Sequence, residues 1–277
     1  MPRVFLITGT STGFGAELVK TVLSSGDSVV ATARDSSKLS FAGTKPSNYL
    51  AVDLDVTDQS SVSAAFDKAL QHFARVDVVV NNAGYGLTGE FESLSEAQIR
   101  TQFEVNFFGL LNVTRKAMAV MRAQQPPGGL IQQVTSVGGQ IGVPTFSCYC
   151  ATKWAVEGFT EAVAQEVKPE WKIRFTVIEP GGFRTDFSGR SMAVAEAKNA
   201  AYDHIDVRAN MRKRHGTQPG DPAKAAQKMY ELAVMPDPPL RCLLGSDGLE
   251  ALRGKLETYR ENLDTFETLT RSTDIKE

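Results

Sequence analysis

The sequence predicts an α/β fold: a doubly wound parallel sheet in a single domain spanning residues 1–277. Three observations predict it. Short apolar, β-branched runs alternate with amphipathic segments of helical period, as strands joined by crossover helices do. The first run leads directly through a glycine-rich turn into a helix. No repeat, low-complexity segment or linker breaks the alternation.

Residues 4–7 are the first buried-strand signal, followed by Thr8-Gly9-Thr10-Ser11-Thr12-Gly13-Phe14-Gly15. Leu18, Val19, Val22 and Leu23 then recur at helical spacing and stop near Gly26. Strand, glycine turn and helix N-terminus form a ready phosphate site: glycine lets backbone approach a pyrophosphate, and the helix end supplies N–H donors. Residues 28–32 and 49–52 read as the second and third strands. Asp58 caps a helix carrying Val62, Ala65, Phe66, Ala69 and Leu70. Residues 76–80 form a fourth strand, apolar enough to be buried on both faces. Ser95 opens a long helix that runs through Phe103, Phe107 and Leu111 towards Met121 and ends before Pro126-Pro127-Gly128-Gly129. Residues 130–134 and 173–178 are further strands, and residues 146–167 are the helix between them. Residues 222–235 read as a helix and residues 241–244 as a last strand. Leu249, Leu252, Leu256, Tyr259, Leu263 and Phe266 place an amphipathic helical extension at 246–270, able to pack on its own domain or on a partner subunit in a homo-oligomer.

A formal net charge of -2 gives no reason to expect nucleic acid or an anionic membrane as partner. No apolar run reaches the ~20 residues of a membrane span. No secretory leader precedes the first strand, and Ile275-Lys276-Glu277 matches no retention or peroxisomal signal, so the expectation is a cytoplasmic protein. His72, His204 and His215 have no ligand spacing, so no metal is expected. Cys148 and Cys150 flank Tyr149. They read as small buried thiols, with a redox switch as the rival.

Tyr149 and Lys153 stand four residues apart on the 146–167 helix, with Ser136 thirteen residues upstream. That spacing puts phenol and ammonium on one helix face. A tyrosine titrates near ~10, too high for easy proton exchange at neutral pH. The expectation is that the Lys153 charge lowers it, so that Tyr149 works as a general acid or base.

Together the motifs resemble the short-chain dehydrogenase/reductase family, in its short single-domain branch. They are Thr-Gly-x-x-x-Gly-x-Gly at the start, Asp55-Val56-Thr57, Asn81-Asn82-Ala83-Gly84, Asn106, Ser136, Tyr149-x-x-x-Lys153, and Pro180-Gly181 with Phe183 and Thr185. The resemblance implies a Rossmann-like sheet and hydride transfer between a nicotinamide and a carbonyl or alcohol carbon. In that scheme Tyr149 exchanges the proton and Ser136 holds the substrate oxygen. Lys153 holds the nicotinamide ribose, and Asn106 orients a water linking Lys153 to solvent. Gly9, Ser11, Thr12, Gly13, Phe14 and Gly15 would cradle the pyrophosphate. Asp55, with Val56, would meet the adenine, and Asn81, Ala83 and Gly84 the adenosine ribose. Pro180, Gly181, Phe183 and Thr185 would contact the carboxamide side. Residues 186–220 correspond to the family's lid over the substrate. Within them Arg208, Arg212, Lys213 and Arg214 read as a solvated helix face.

The end of the second strand separates the cofactors. Ala33 falls where NAD-specific relatives carry an acid, and Arg34 follows, suited to a 2′-phosphate. NADP(H) is therefore the expected cofactor. A shift of one or two residues would make Asp35 the acid and favour NAD(H). Residues 137–146 and 186–215 would line the substrate pocket, and Gly138, Gly139, Ile141, Val143, Pro144 and Phe146 make that wall largely apolar, which suggests reduction of an apolar or aromatic ketone or aldehyde. The rivals are an epimerase- or cyclase-type use of the fold and a cofactor-sensing regulator. Epimerase relatives use a different glycine spacing, and regulators typically lack the tyrosine.

Overall fold

The computed structural model describes residues 2–189 and 191–275; Arg190, inside the predicted lid, and Lys276 and Glu277 lie outside the described residues. The strands are β1 (Val4–Ile7), β2 (Ser28–Ala33), β3 (Tyr49–Asp53), β4 (Val78–Asn81), β5 (Gly86–Thr88), β6 (Gly129–Val134), β7 (Ile173–Pro180), β8 (Met192–Val194) and β9 (Arg241–Leu244). The helices are α1 (Gly13–Ser24), α2 (Gln59–Phe73), α3 (Glu96–Phe103), α4 (Gly109–Ala123), α5 (Ser147–Glu166), α6 (Val207–Arg214), α7 (Pro222–Val234) and α8 (Ser246–Arg271). Seven strands form one parallel sheet in the order β3-β2-β1-β4-β6-β7-β9.

The two-residue period of a strand divides the core into two layers. In β1, Val4 and Leu6 join Val62 and Phe66 of α2 and Val113 of α4. Phe5 and Ile7 join Leu18 and Val22 of α1 and Met229 of α7 on the opposite face. Register keeps the layers in step: Leu6 lies opposite Val30 of β2 and Val79 of β4, all in the first layer.

Several elements depart from the sequence pattern. Val76 is buried but lies outside β4, because a side chain takes its backbone. Its N–H donates to Gln124 Oε1 at 3.1 Å, and its carbonyl accepts from Gln124 Nε2 at 3.1 Å. The long helix from Ser95 is interrupted by a π turn over Glu104–Phe108, with Asn106 inside it. Such a turn, which widens the i→i−4 ladder by one residue, often marks a functional site. β5 and β8 form a separate parallel pair, Gly86 opposite Met192, that ties the 186–220 stretch to the exit of β4. Three-residue strands carry too little alternation to register in sequence. A side chain at Gly86 would strike Met192 and Phe187, so this pairing needs glycine there.

α8 is tied to the domain at its start. Asp247 Oδ2 accepts from Gly182 N at 2.8 Å, and the Lys255 ammonium lies 4.5 Å from the Trp154 ring centroid of α5. Leu256, Tyr259, Leu263 and Phe266 are exposed. No described helix is long and apolar enough to cross a membrane.

Gln124→Ala should leave the buried backbone of Val76 unpaired, which costs about 1–3 kcal/mol. Urea unfolding checks this, and a midpoint equal to the parent's would contradict it.

Candidate active site

The carboxyl ends of the central strands open on a single cavity of about 1160 Å³. It lies where strand order reverses about β1, the position at which open parallel sheets bind ligands. Three stations line it.

The first is the glycine turn. Gly9 and Gly13 have positive φ, +70° and +59°. Asn82 and Thr8 hold the turn against β4. Asn82 Nδ2 donates to the Thr8 and Gly9 carbonyls at 2.9 Å each, and the Asn82 and Ala83 amides donate to Thr8 Oγ1. α1 then starts with no side-chain cap and no acid in its first turn, so its N–H donors and positive dipole end suit an anion. Gly9, Ser11, Thr12, Gly13 and Phe14 line the cavity, as do Ala83 and Gly84. Two of the residues expected at the glycine turn and the end of β4 do not line it. Gly15 sits beneath the turn, where a side chain would strike the Gly9 carbonyl. Asn81 points into the core, with Nδ2 donating to Gln133 Oε1 at 2.8 Å and Thr114 Oγ1 at 3.0 Å. Strand alternation turns its neighbour Asn82 to the cavity instead.

The second station follows β2 and β3. Ala33, Arg34, Asp55 and Val56 line the cavity there. Arg34 is exposed. Asp35 does not line it; its carboxylate is taken by Lys38 at 2.8 Å and Ser37 Oγ at 2.6 Å.

The third station joins Ser136, Tyr149 and Lys153. Ser136 caps a tight turn after β6, its Oγ accepting from Gly138 N at 3.1 Å. Tyr149 is 8% exposed, its ring between Phe146 at 6.1 Å and Phe187 at 5.4 Å, and it lines the cavity with Ser136, whose Oγ donates to the Pro180 carbonyl at 3.4 Å. Lys153, 6% exposed, donates to the Val134 carbonyl at 2.9 Å and lies 5.7 Å from the Tyr149 ring centroid.

The electrostatics reverse one expectation. Burial pushes the Tyr149 phenol above its ordinary value; the Ser136 hydroxyl pulls it down and Cys150 adds to the rise. The Lys153 ammonium is aimed at a carbonyl, and burial pulls it down to about 8 while Glu157 holds it up. In the protein as it stands Tyr149 is therefore a protonated donor. Asn106 also differs from expectation. Its side chain is spent on the Tyr85 backbone, Nδ2 donating to Tyr85 O at 2.9 Å and Oδ1 accepting from Tyr85 N at 3.1 Å, so it anchors the exit of β4.

Pro180, Gly181, Phe183 and Thr185 close the cavity above Ser136, and Phe183 packs edge-on against Phe14 at 5.1 Å. Sequence reasoning missed Asp247, which holds this loop from α8; a side chain at Gly181 would strike its carboxylate. Val143, Phe146, Phe187, Met192 and Met211 give the remaining wall. Arg214 reaches the cavity edge, whereas Arg208, Arg212 and Lys213 of the basic cluster stay in solvent. Cys148 and Cys150 are both buried free thiols, and burial raises Cys150. No group of metal ligands occurs among the described residues.

The three stations fit a dinucleotide. The uncapped helix end would take the phosphates, the Arg34–Asp55 end the adenosine, and the Ser136–Tyr149–Lys153 end the reacting ring.

A family model described as short chain dehydrogenase matches residues 3–195. An uncharacterized oxidoreductase of Schizosaccharomyces pombe is 38% identical over 267 residues, covering 96% of this chain and 90% of its own. A 3-ketodihydrosphingosine reductase of Bacteroides thetaiotaomicron is 31% identical over 253 residues, 88% of each chain. A solved short-chain dehydrogenase from Streptomyces avermitilis superposes with a TM-score of 0.88 at 36% identity, covering 99% of this chain and 100% of that one.

With ε-carbon-labelled lysine, one resonance should inflect near pH 8 and vanish in Lys153→Met, because the buried ammonium loses its proton as pH rises through about 8. If that resonance instead titrates with the exposed lysines, the burial argument fails.

Proposed function

The chain belongs to the short-chain dehydrogenase family and is a NAD(P)-dependent oxidoreductase; on that premise we propose that it is an NADP(H)-dependent reductase of apolar or aromatic ketones and aldehydes. The observation that carries this reading is the buried Tyr149, framed by Phe146 and Phe187, in one cavity with Ser136, Lys153 and the glycine turn.

The nicotinamide, when bound, supplies the hydride that reaches the carbonyl carbon. The chain's own residues do the rest. Ser136 holds the carbonyl oxygen beside Tyr149, so orientation is fixed before reaction. Tyr149 gives that oxygen its proton, becoming phenolate as the alcohol forms. Lys153, charged at neutral pH, stabilises that phenolate across a low-dielectric site. Burial keeps Tyr149 protonated, which supports reduction as the working direction. Asn106 positions the floor of the site by pinning Tyr85.

Arg34 supports NADP(H): it lines the cavity next to Ala33, the position where an acid would select NAD(H), while Asp35 is engaged by Lys38. The apolar wall supports a hydrophobic carbonyl, as does the likeness to a 3-ketodihydrosphingosine reductase. Residues 186–220 serve as the lid, with Phe187 over Tyr149 and β8 latched to β5.

NADPH consumption over a panel of ketones and aldehydes, with NADH in parallel, tests the reading. Tyr149→Phe should lose about a hundredfold or more in turnover while binding NADPH as the parent does, since only the proton donor is removed. Turnover within about tenfold of the parent would overturn its role.

Arg34→Ala removes a charge-assisted contact whose loss costs about 1.5–3 kcal/mol, roughly ten- to hundredfold in NADPH affinity, and should leave NADH nearly unaffected. Equal losses for both cofactors would return the cofactor choice to Asp35.

A further inference from the structure

Behind the catalytic residues lies a buried acidic cluster that the mechanism above does not use. Glu157, one turn beyond Lys153 on α5, is 4% exposed; Glu179, the residue before Pro180 in β7, is 2% exposed. Their carboxyls converge on the same guanidinium nitrogen. One guanidinium serves them: Arg241 Nε lies 3.1 Å from Glu157 Oε2 and 3.7 Å from Glu179 Oε1, and its Nη2 is taken at 2.6 Å by Glu161. Three carboxyls thus face one base. Two like charges beside one guanidinium and out of water cannot both ionise cheaply, and a carboxyl–carboxylate bond requires one proton.

The cluster grips both sides of the turn that carries Ser136. Thr135 Oγ1, immediately before it, donates to Glu157 Oε1 at 2.7 Å. Gln140 Nε2, just after it, donates to Glu179 Oε1 at 2.9 Å. Gly139 lies against Glu157, where a side chain would meet Glu157 Cγ and the Lys153 carbonyl. One acid belongs to the Tyr149–Lys153 helix and the other to the strand leading into Pro180. The pair therefore joins the three segments that must hold register at the site: turn 135–140, α5 and the end of β7.

We propose that Glu157 and Glu179 share one proton and act as a positioning pair, setting the Ser136 hydroxyl against Tyr149. Glu179 carries the proton and donates it to Glu157, whose other contacts, Thr135 and Arg241, suit a carboxylate. Burial, then Glu157, pushes Glu179 up to about 7, and burial also raises Glu157. The other titratable groups facing the pair are Lys153 and Glu161 on α5 and Arg241 and Cys242 on β9. As pH rises through neutrality the pair loses its proton, the two carboxylates repel, and the turn loosens. Lys153 keeps its ammonium more firmly at the same time, because Glu157 holds its value up.

The kinetic part of this proposal rests on the reductase reading, so the test has an arm that needs no activity. The Gly138 amide, which donates to Ser136 Oγ, reports the turn. In the parent its nitrogen-15 shift should follow a single titration near neutrality. In Glu179→Gln, whose amide is a permanently neutral donor, it should stay at its low-pH position. A Gly138 shift that does not move in the parent, or moves equally in Glu179→Gln, overturns the proposal. In the kinetic arm, Glu179→Gln should keep kcat within about threefold at pH 6 and lose the fall in kcat between pH 6 and 8. Glu179→Ala should lose about tenfold or more in kcat with NADPH affinity unchanged. An unchanged pH profile in Glu179→Gln, or full kcat in a folded Glu179→Ala, also overturns it. Should the parent reduce no carbonyl while Gly138 titrates as described, the reductase reading fails and the positioning pair stands.

Discussion

The molecule depends on the point where its sheet changes direction of growth. β1 is paired on both edges, with β2 on one side and β4 on the other, and the chain crosses from one half of the sheet to the other at that strand. Right-handed crossovers then place α1 and α7 on one face and α2, α4 and α5 on the other. Loops leaving β1 and β4 must diverge, and the space between them is the cavity. The glycine turn closes one side of it because Thr8 and Asn82 bind β1's exit to β4's. α5 and the Ser136 turn close the other.

That geometry explains how a small set of polar groups works in a mostly apolar setting. Tyr149 and Lys153 are both nearly dry, and desolvation moves them towards their neutral forms, the phenol up and the ammonium down. Each then has a definite state at neutral pH: Tyr149 protonated, Lys153 charged and titrating near 8. A proton donor beside a cation, both shielded from water, favours charge development on the donor once a reacting oxygen is present.

Much of this was legible in the sequence because it is periodic or carried by residues with special backbone needs. β1, α1, α2 and α5 announce themselves through two- and 3.6-residue patterns and through caps such as Asp58, whose side chain accepts from Ser60 N. The glycine turn and the Tyr149–Lys153 spacing mark the cavity's two ends. What escaped was decided by contacts far apart in sequence. Val76 has the composition of a strand, but Gln124, 48 residues away, takes its backbone. Asn81 and Asn82 are indistinguishable in the motif, and only strand alternation says which one faces the cavity. The Lys153 charge predicts a lowered phenol, but burial, which local spacing does not encode, outweighs it. Asp247 reaches Gly182 across 65 residues from a helix with no motif of its own.

In the proposed reaction this cavity joins a nicotinamide dinucleotide and a carbonyl so that hydride goes to carbon while Tyr149 protonates oxygen. The most direct measurement is isotopic. The protein is incubated with NADPH deuterated at nicotinamide C4 and an apolar ketone, each C4 position labelled in turn, and the alcohol is examined by mass spectrometry. One of the two labelled cofactors should place a single deuterium on the carbinol carbon, and Tyr149→Phe should abolish that product while still binding NADPH. Alcohol formed without deuterium from either cofactor, or formed equally well by Tyr149→Phe, would contradict the account.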